Sequence, residues 1–311
     1  MRFLSVDIII PTFNCEKNLR RCLSSISSQR YPGQVKIIIV DGGSNDDTLE
    51  VARAFTESIY VNVGQYSDGK NGAKMFGESI SQGELVWHMD SDNFVIGDDC
   101  LANLVRPLLE DENINFSIPV TEIDLSAGNL NNWIAIREIY NLNLRIKKST
   151  KRDGYYLISD MDYGLTNCCL IRRSVLQRVG GYDSDVRLLW RMRKSKLSTA
   201  AIVPSSKFYH NQTTGYADYL RKWYKRSKRF SSMSFEQFKD YFVEYPPSKD
   251  QEDDLKSQLS GMVRSSLYLS LRNFLVFKDT RWLAGIPFSI LLVLAAILHP
   301  VITYKLWKNF L

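Results

Sequence analysis

Asp90 and Asp92 sit one residue apart in Glu-Leu-Val-Trp-His-Met-Asp-Ser-Asp-Asn, residues 84 to 93, and are the side chains best placed in this sequence to do chemistry. Two carboxylates converging at a turn offer hard oxygen donors to Mg2+ or Mn2+, cations able to neutralise a diphosphate. Asp-Ser-Asp-Asn is equally good turn composition, so a plain loop is the competing reading. Asp41, which opens Asp-Gly-Gly-Ser, poses the same choice between a ligand contact and a turn before a helix.

Such groups need a sheet to position them. Leu85, Val86, Trp87 and Met89 form a short apolar run after Gly83, the pattern of a strand covered on both faces. In sheets of this kind ligands gather beyond the carboxyl ends of the strands. The earlier residues repeat the theme. Val6 to Ile10 is an apolar strand stopped by Pro11, followed by Leu19, Cys22, Leu23 and Ile26 at helical spacing. Val35 to Val40 reads as a second strand, Thr48 to Phe55 as a helix, Ile59 to Val63 as a third strand and Ala73 to Ser81 as a helix. Strands alternating with helices predict a doubly wound α/β sheet, with the loops carrying Asn14, Asp41 and Asp90 at one edge.

Four segments in this order resemble the family 2 glycosyltransferases of the GT-A fold: Val-Asp-Ile-Ile-Ile-Pro-Thr-Phe-Asn (6 to 14), Val-Asp-Gly-Gly-Ser-Asn-Asp-Asp-Thr (40 to 48), Ser-Asp-Gly-Lys-Asn-Gly-Ala-Lys-Met-Phe-Gly (67 to 77) and Met-Asp-Ser-Asp-Asn (89 to 93). The resemblance implies the nucleotide-diphospho-sugar transferase form of the sheet, doubly wound and mixed. By the same resemblance Pro11, Thr12, Asn14 and Glu16 line the nucleotide pocket and Asp41 accepts a hydrogen bond from the base. Asp68 and Lys74 flank the diphosphate, Asp90 and Ser91 lie near ribose and metal, and Asp92 holds the metal. A solvated charge on a helix is the alternative for Lys74, and the order of the motifs favours the functional reading.

The later half carries acceptor chemistry on this reading. After helical Asp99 to Leu109, a strand over Phe116 to Val120 and helical Trp133 to Lys148, the segment Gly164 to Arg173 looks like the family's acceptor-side loop, which assigns Thr166 and Asn167 to the acceptor. Val179 to Arg191 is similar to the family segment that normally carries a Glu-Asp pair opening a helix, with Ser184 in place of the glutamate. Aligning Leu188 and Arg191 puts Asp185 at the catalytic aspartate, with Asp183 in reserve and Arg191 on the acceptor side. An ordinary helix N-cap is the alternative. His210, following a strand over Ala200 to Val203, lies where related enzymes carry a histidine that ligates the metal or touches the diphosphate; a purely structural histidine is the alternative.

The net charge of +6 and pI near 8.9 matter through their location. Residues 216 to 230 place six basic residues among aromatic ones at helical spacing, which reads as a helix on an anionic membrane surface, or as a solvated basic face. No nucleic-acid module is recognisable, so nucleic acid is not an expected partner. Beyond a polar connector (231 to 254) and an amphipathic helix (255 to 277), Leu283 to Tyr304 runs 22 residues without Asp, Glu, Lys or Arg, between Trp282 and Trp307. That length crosses a bilayer. Pro287 and Pro300 leave a re-entrant hairpin, an in-plane anchor or soluble packing as alternatives. Five scattered cysteines without metal-ligand spacing suit a reduced compartment, and Asp7 and Pro11 interrupt any secretory apolar segment, so the catalytic part is expected on the cytoplasmic side.

These readings define a glycosyltransferase domain over residues 1–230, with 1–100 binding nucleotide and 101–230 the acceptor, and a helical membrane-associating extension over 231–311. The expected activity is inverting, metal-dependent transfer from a UDP- or GDP-sugar to a polyprenyl-linked or other membrane-bound acceptor. A transferase acting on a soluble acceptor and a non-catalytic sugar-nucleotide-binding protein are the rivals. A sugar-nucleotide pyrophosphorylase is disfavoured, because no Gly-rich phosphate loop with Lys or Arg follows the first strand.

Overall fold

The computed structural model describes residues 2–62, 69–127, 129–162, 168–213 and 218. The chain divides into two units, Met1–Asp124 with Glu138–Gln212, and Leu125–Arg137 with Thr213–Leu311. In the second, the Asn131 side chain closes a pair of hydrogen bonds with the backbone of Thr213, at 2.7 and 3.1 Å. The first unit carries the sheet.

The elements in chain order are β1 (Val6–Thr12), α1 (Glu16–Ser27), β2 (Val35–Asp41), α2 (Thr48–Arg53), β3 (Ile59–Val61), α3 (Gly69–Ile80), β4 (Leu85–Met89), β5 (Asn93–Ile96), α4 (Cys100–Glu110), β6 (Phe116–Thr121), α5 (Asn129–Ile146), β7 (Thr150–Lys151), β8 (Tyr156–Ile158), β9 (Cys168–Arg172), α6 (Arg173–Arg178), α7 (Asp185–Lys194) and β10 (Ala200–His210). The strands form one sheet in the order β3-β2-β1-β4-β9-β6-β10-β8-β7, with β5 pairing β10 off that path. β3, β2, β1 and β4 run parallel, whereas β9 is antiparallel to both of its neighbours. The sheet is therefore mixed and doubly wound, as the motif order implies.

Alternation along the strands explains the layering. Val6, Ile8 and Ile10 of β1 join Leu85, Trp87 and Met89 of β4 in a core covered by α1, α2 and α4, while Ile9 and Val86 join a second core covered by α6 and α7. Successive side chains of a strand point to opposite faces, so a strand covered on both sides is apolar at nearly every position, Asp7 and Thr12 being the exceptions in β1. Each fully buried Ile of β1 contributes roughly 1.5–3 kcal/mol of transfer free energy. Leu19, Cys22, Leu23 and Ile26 of α1 are buried, at the spacing that makes one helical face.

Three local features set the site. A Cβ on Gly77 would meet Ile9 Cγ2 at 2.4 Å, so glycine lets α3 lie close against β1 and carries Lys74, one turn earlier, onto the sheet. The turn after α3 is tied down by Asp7, whose Oδ2 accepts from Ser81 Oγ and from the Gln82 and Gly83 amides at 2.7–2.9 Å. Lastly, β10 does not end at Val203 as the sequence pattern predicts. It passes through Pro204 at a register shift between Val203 and Lys207, where a missing N–H costs no ladder bond, and continues to His210.

All five cysteines are free thiols. Among the described residues no helix is long and apolar enough to cross a membrane. The segments 219–230, 231–254, 255–277 and 283–304 lie outside the described residues, as do Asp68, Thr166 and Asn167.

Candidate active site

The parallel register brings the expected loops to one edge. Thr12 is level with Asp41 across β1 and β2, and Ile9 is level with His88 across β1 and β4, so the chain leaves β4 at Asp90 beside the end of β1. Pro11, Thr12, Asp41 and Asp90 are all buried there, whereas Phe13 keeps most of its ring exposed.

Asp90 is held by two lysines of α3 one turn apart. Lys70 Nζ lies 2.7 Å from Oδ2 and Lys74 Nζ 2.9 Å from Oδ1. Lys74 is fully buried, which removes the alternative of a solvated helix charge: its ammonium lies in the interior because a carboxylate is there to meet it. Burial works against ionisation of Asp90, but Lys74 and then Lys70 outweigh it and hold its carboxyl well below the usual range. Lys70, whose side chain is half exposed, was not among the expected residues; its place four positions before Lys74 on one helix face is the signal that marks it. Asp90 raises the Lys70 pKa most, against desolvation, and Asp185 and Asp92 raise it further, so three carboxylates act on this one ammonium.

Asp92 faces His210. The antiparallel pairing of β5 with β10 sets His210 opposite Asn93, and the Asn211 amide donates to the Asp92 carbonyl at 3.0 Å. His210 Nε2 lies 3.8 Å from Asp92 Oδ1, while its Nδ1 lies 3.0 Å from Glu138 Oε1. Glu138 is itself fixed, accepting from Thr121 Oγ1 at 3.0 Å and from the Gln212 amide at 3.3 Å. A carboxylate against Nδ1 assigns the ring proton to that nitrogen and leaves Nε2 on the Asp92 side, the arrangement by which an outer carboxylate orients a metal-binding histidine. Burial lowers the pKa of His210, but the Glu138 bond and the charges of Glu138, Asp92 and Asp90 prevail and raise it. Among the described residues no three His, Cys, Asp or Glu side chains are grouped to hold a metal by themselves. The Asp92–His210 pair fits a cation that takes one or two protein donors and completes its shell with water and substrate phosphate, as Mg2+ and Mn2+ do.

Asp41 builds the neighbouring loop. Its Oδ2 accepts from Thr12 Oγ1 and Ser44 Oγ at 2.8 and 2.6 Å, and its Oδ1 from the Gly43 and Ser44 amides at 2.9 and 2.7 Å. Four donors match the acceptor capacity of a carboxylate, so a nucleobase contact there has to share an oxygen already in use. Asn14, in the left-handed region at φ 46, receives the Asn45 amide on Oδ1 at 2.9 Å and donates its own amide to Ser44 Oγ at 2.8 Å. The Glu16 amide points at Asp46 Oδ2, and Ser91 is half-buried beside Asp90.

Asp185 is the first residue of α7, where a negative charge favours the helix dipole. Ser184 Oγ accepts the Arg187 amide at 3.3 Å, so Ser184 is the cap and Asp185 is released from that duty. Asp185 Oδ1 accepts instead from Tyr182 Oη at 2.9 Å. Asp183, the reserve candidate, takes Arg191 Nη1 on Oδ2 at 2.6 Å and the Ser184 amide on Oδ1 at 2.7 Å. Arg191 also donates to the Gly181 carbonyl. Asp183 and Arg191 thus lock the turn that precedes α7, and Asp185 is left bound to Tyr182.

A mixed, doubly wound sheet that collects carboxylates and lysines beyond its parallel strand ends is the architecture of nucleotide-binding α/β proteins. This chain belongs to glycosyl transferase family 2, whose family model matches residues 7–180. Among curated proteins it is similar to glycosyltransferase AglE of Haloferax volcanii, 32% identical over 191 residues that cover 58% of this chain and 57% of that protein. It is also similar to an N-acetylglucosaminyltransferase of Bradyrhizobium elkanii, 36% identical over 109 residues covering 33% of this chain and 59% of that one. The match thus spans less than two thirds of the length of either relative. Among solved structures, a mannosyltransferase from Pyrobaculum calidifontis in complex with GDP-Man and Mn2+ superposes with a TM-score of 0.51 at 22% identity, covering 67% of this chain and 57% of that one, a likeness of fold.

Proposed function

We propose that this chain is a metal-dependent, inverting glycosyltransferase that moves a sugar from a UDP- or GDP-linked donor to a polyprenyl-linked or other membrane-bound acceptor. The observation that carries the reading is the pairing of Asp90 with Lys70 and Lys74 beside the Asp92–His210 pair at the carboxyl edge of the sheet. Names among the relatives support a nucleotide-sugar donor: N-acetylglucosaminyltransferase for one, and a complex with GDP-Man and Mn2+ for another. The uncharged run 283–304 and the basic, aromatic stretch 216–230 support a lipid-bound acceptor and a catalytic part at the cytoplasmic membrane face.

In this mechanism Asp185 takes the proton from the acceptor hydroxyl as its oxygen attacks the anomeric carbon. The bond from that carbon to the diphosphate oxygen breaks in the same step, the electron pair leaves with the nucleoside diphosphate, and the single displacement inverts the centre. Asp92 and His210 would hold the divalent cation, which when bound neutralises charge on the departing diphosphate. Glu138 keeps His210 oriented. Lys70 adds fixed positive charge at the same edge, and Phe13 offers an exposed aromatic face to a base.

The test is release of UDP or GDP from UDP-glucose, UDP-N-acetylglucosamine and GDP-mannose with Mn2+, with and without a polyprenyl-diphosphate-linked sugar, whose hydroxyls serve as acceptor, in vesicles. Release stimulated by the lipid, with the sugar recovered on it, is expected. Equal turnover on soluble acceptors alone contradicts the membrane-bound acceptor, and no release from any donor contradicts the transferase.

A further inference from the structure

Tyr182 is joined to more of the site than a core aromatic requires. Gly180 and Gly181, at φ 85 and 80, stop α6 with the Gly181 amide on the Leu176 carbonyl and turn the chain back toward the sheet. A Cβ on Gly181 would stand 2.9 Å from Glu78 Oε1, so the turn lies directly on α3. The Tyr182 amide donates to Glu78 Oε2 at 3.0 Å. The ring stacks on His88 with centroids 4.8 Å apart, and Lys74 Nζ lies 5.5 Å from its centroid. Backbone and ring face are both constrained, which fixes where the hydroxyl oxygen lies.

That hydroxyl has one proton and two acceptors within reach: Asp185 Oδ1 at 2.9 Å and Asn71 Oδ1 at 3.4 Å. The shorter contact to the charged partner takes it. Burial first, and then the charge and hydrogen bond of Asp185, hold the phenol protonated far above its ordinary range, so Tyr182 is a donor and not a second base.

We propose that Tyr182 is the positioning residue of Asp185: its hydroxyl fixes one oxygen of the carboxylate so that the other faces the acceptor hydroxyl, and it turns to Asn71 when Asp185 takes up the proton. The inference rests on Asp185 being the base. Proton bookkeeping closes within the site. The acceptor's proton goes to Asp185, the Tyr182 proton moves from the Asp185 contact to Asn71, and no group other than Asp185 changes charge. The same tyrosine touches α3, which carries Lys70 and Lys74, so the base is registered against the element that holds Asp90.

The test is Tyr182→Phe, which keeps the ring and its stacking and removes only the hydroxyl. The assay is release of nucleoside diphosphate from whichever of UDP-glucose, UDP-N-acetylglucosamine or GDP-mannose the wild-type chain turns over, with water as acceptor. Loss of the fixed orientation of Asp185 predicts a kcat about 10- to 100-fold lower with donor KM unchanged, and removal of a hydrogen bond to a charged group predicts a melting temperature lower by roughly 3–12 °C. In an Asp185→Asn background the same change should cost nothing further, because the hydroxyl acts only through that carboxylate. Unaltered kcat in Tyr182→Phe, a loss confined to KM, or a full additional loss in the Asp185→Asn background overturns the proposal. If Asp185→Asn alone is fully active, or the wild-type chain releases nothing from any of the three donors, the underlying assignment of the base fails, an outcome distinct from failure of the tyrosine alone.

Discussion

Asp185→Asn is expected to lower turnover by about 100- to 10,000-fold while leaving donor affinity intact, the range a positioned general base supplies. The substitution is nearly isosteric, and Ser184 continues to cap α7 through the Arg187 amide, so the helix has no reason to fray. The Asn oxygen still accepts from Tyr182. What is lost is the ability to take a proton from the acceptor. Nucleoside diphosphate release and donor calorimetry on the same preparation separate the two effects, and normal release from the variant removes Asp185 as base. Asp183 is a poor substitute, since Arg191 at 2.6 Å already claims its outer oxygen.

Lys74→Met is expected to have the largest effect on stability. It retains the buried stem and deletes the ammonium, leaving Asp90 charged, almost wholly enclosed and facing Lys70 alone. Removing one partner of a buried pair costs about 3–5 kcal/mol; with Lys70 still at 2.7 Å from the other oxygen the loss should fall near the lower figure, ~3 kcal/mol. For a unit of this size that is a fall of roughly 6–12 °C in Tm. Thermal or urea denaturation followed by circular dichroism measures it. A variant as stable as the parent shows that the pair is not what retains Lys74 in the interior.

The architecture was legible because its signals are local. The largely apolar runs at β1, β2 and β4, each broken once by Asp7, Lys36 or His88 and ending at Pro11, Asp41 or Asp90, mark buried strands and the edge where their loops collect. The site was legible in types more than in partners. Nothing near Lys74 in the sequence announces burial, because its counter-charge, Asp90, lies 16 residues away and meets it only after α3 folds onto β1 across Gly77. The apolar pattern stops before Pro204 and leaves His210 beyond it; the bulge that admits the proline depends on pairing with β5 and β6, which no local pattern encodes. Glu138 carried no signal at all, being one polar residue on a long helix until Thr121, His210 and Gln212 surround it. Asp183 and Asp185 look alike in sequence, and only the reach of Arg191 back across two turns of α7 tells them apart.

The central claim is that the acidic edge beyond β4 binds a nucleotide-diphosphate sugar through a divalent cation held by Asp92 and His210. Calorimetric titration of UDP-N-acetylglucosamine and GDP-mannose, with and without Mn2+, into the parent chain and into Asp92→Ala tests it most directly. The account predicts that Mn2+ strengthens binding of one of these donors to the parent and that Asp92→Ala abolishes this metal-dependent gain. Affinity that is the same with and without Mn2+, or the same in parent and variant, contradicts it.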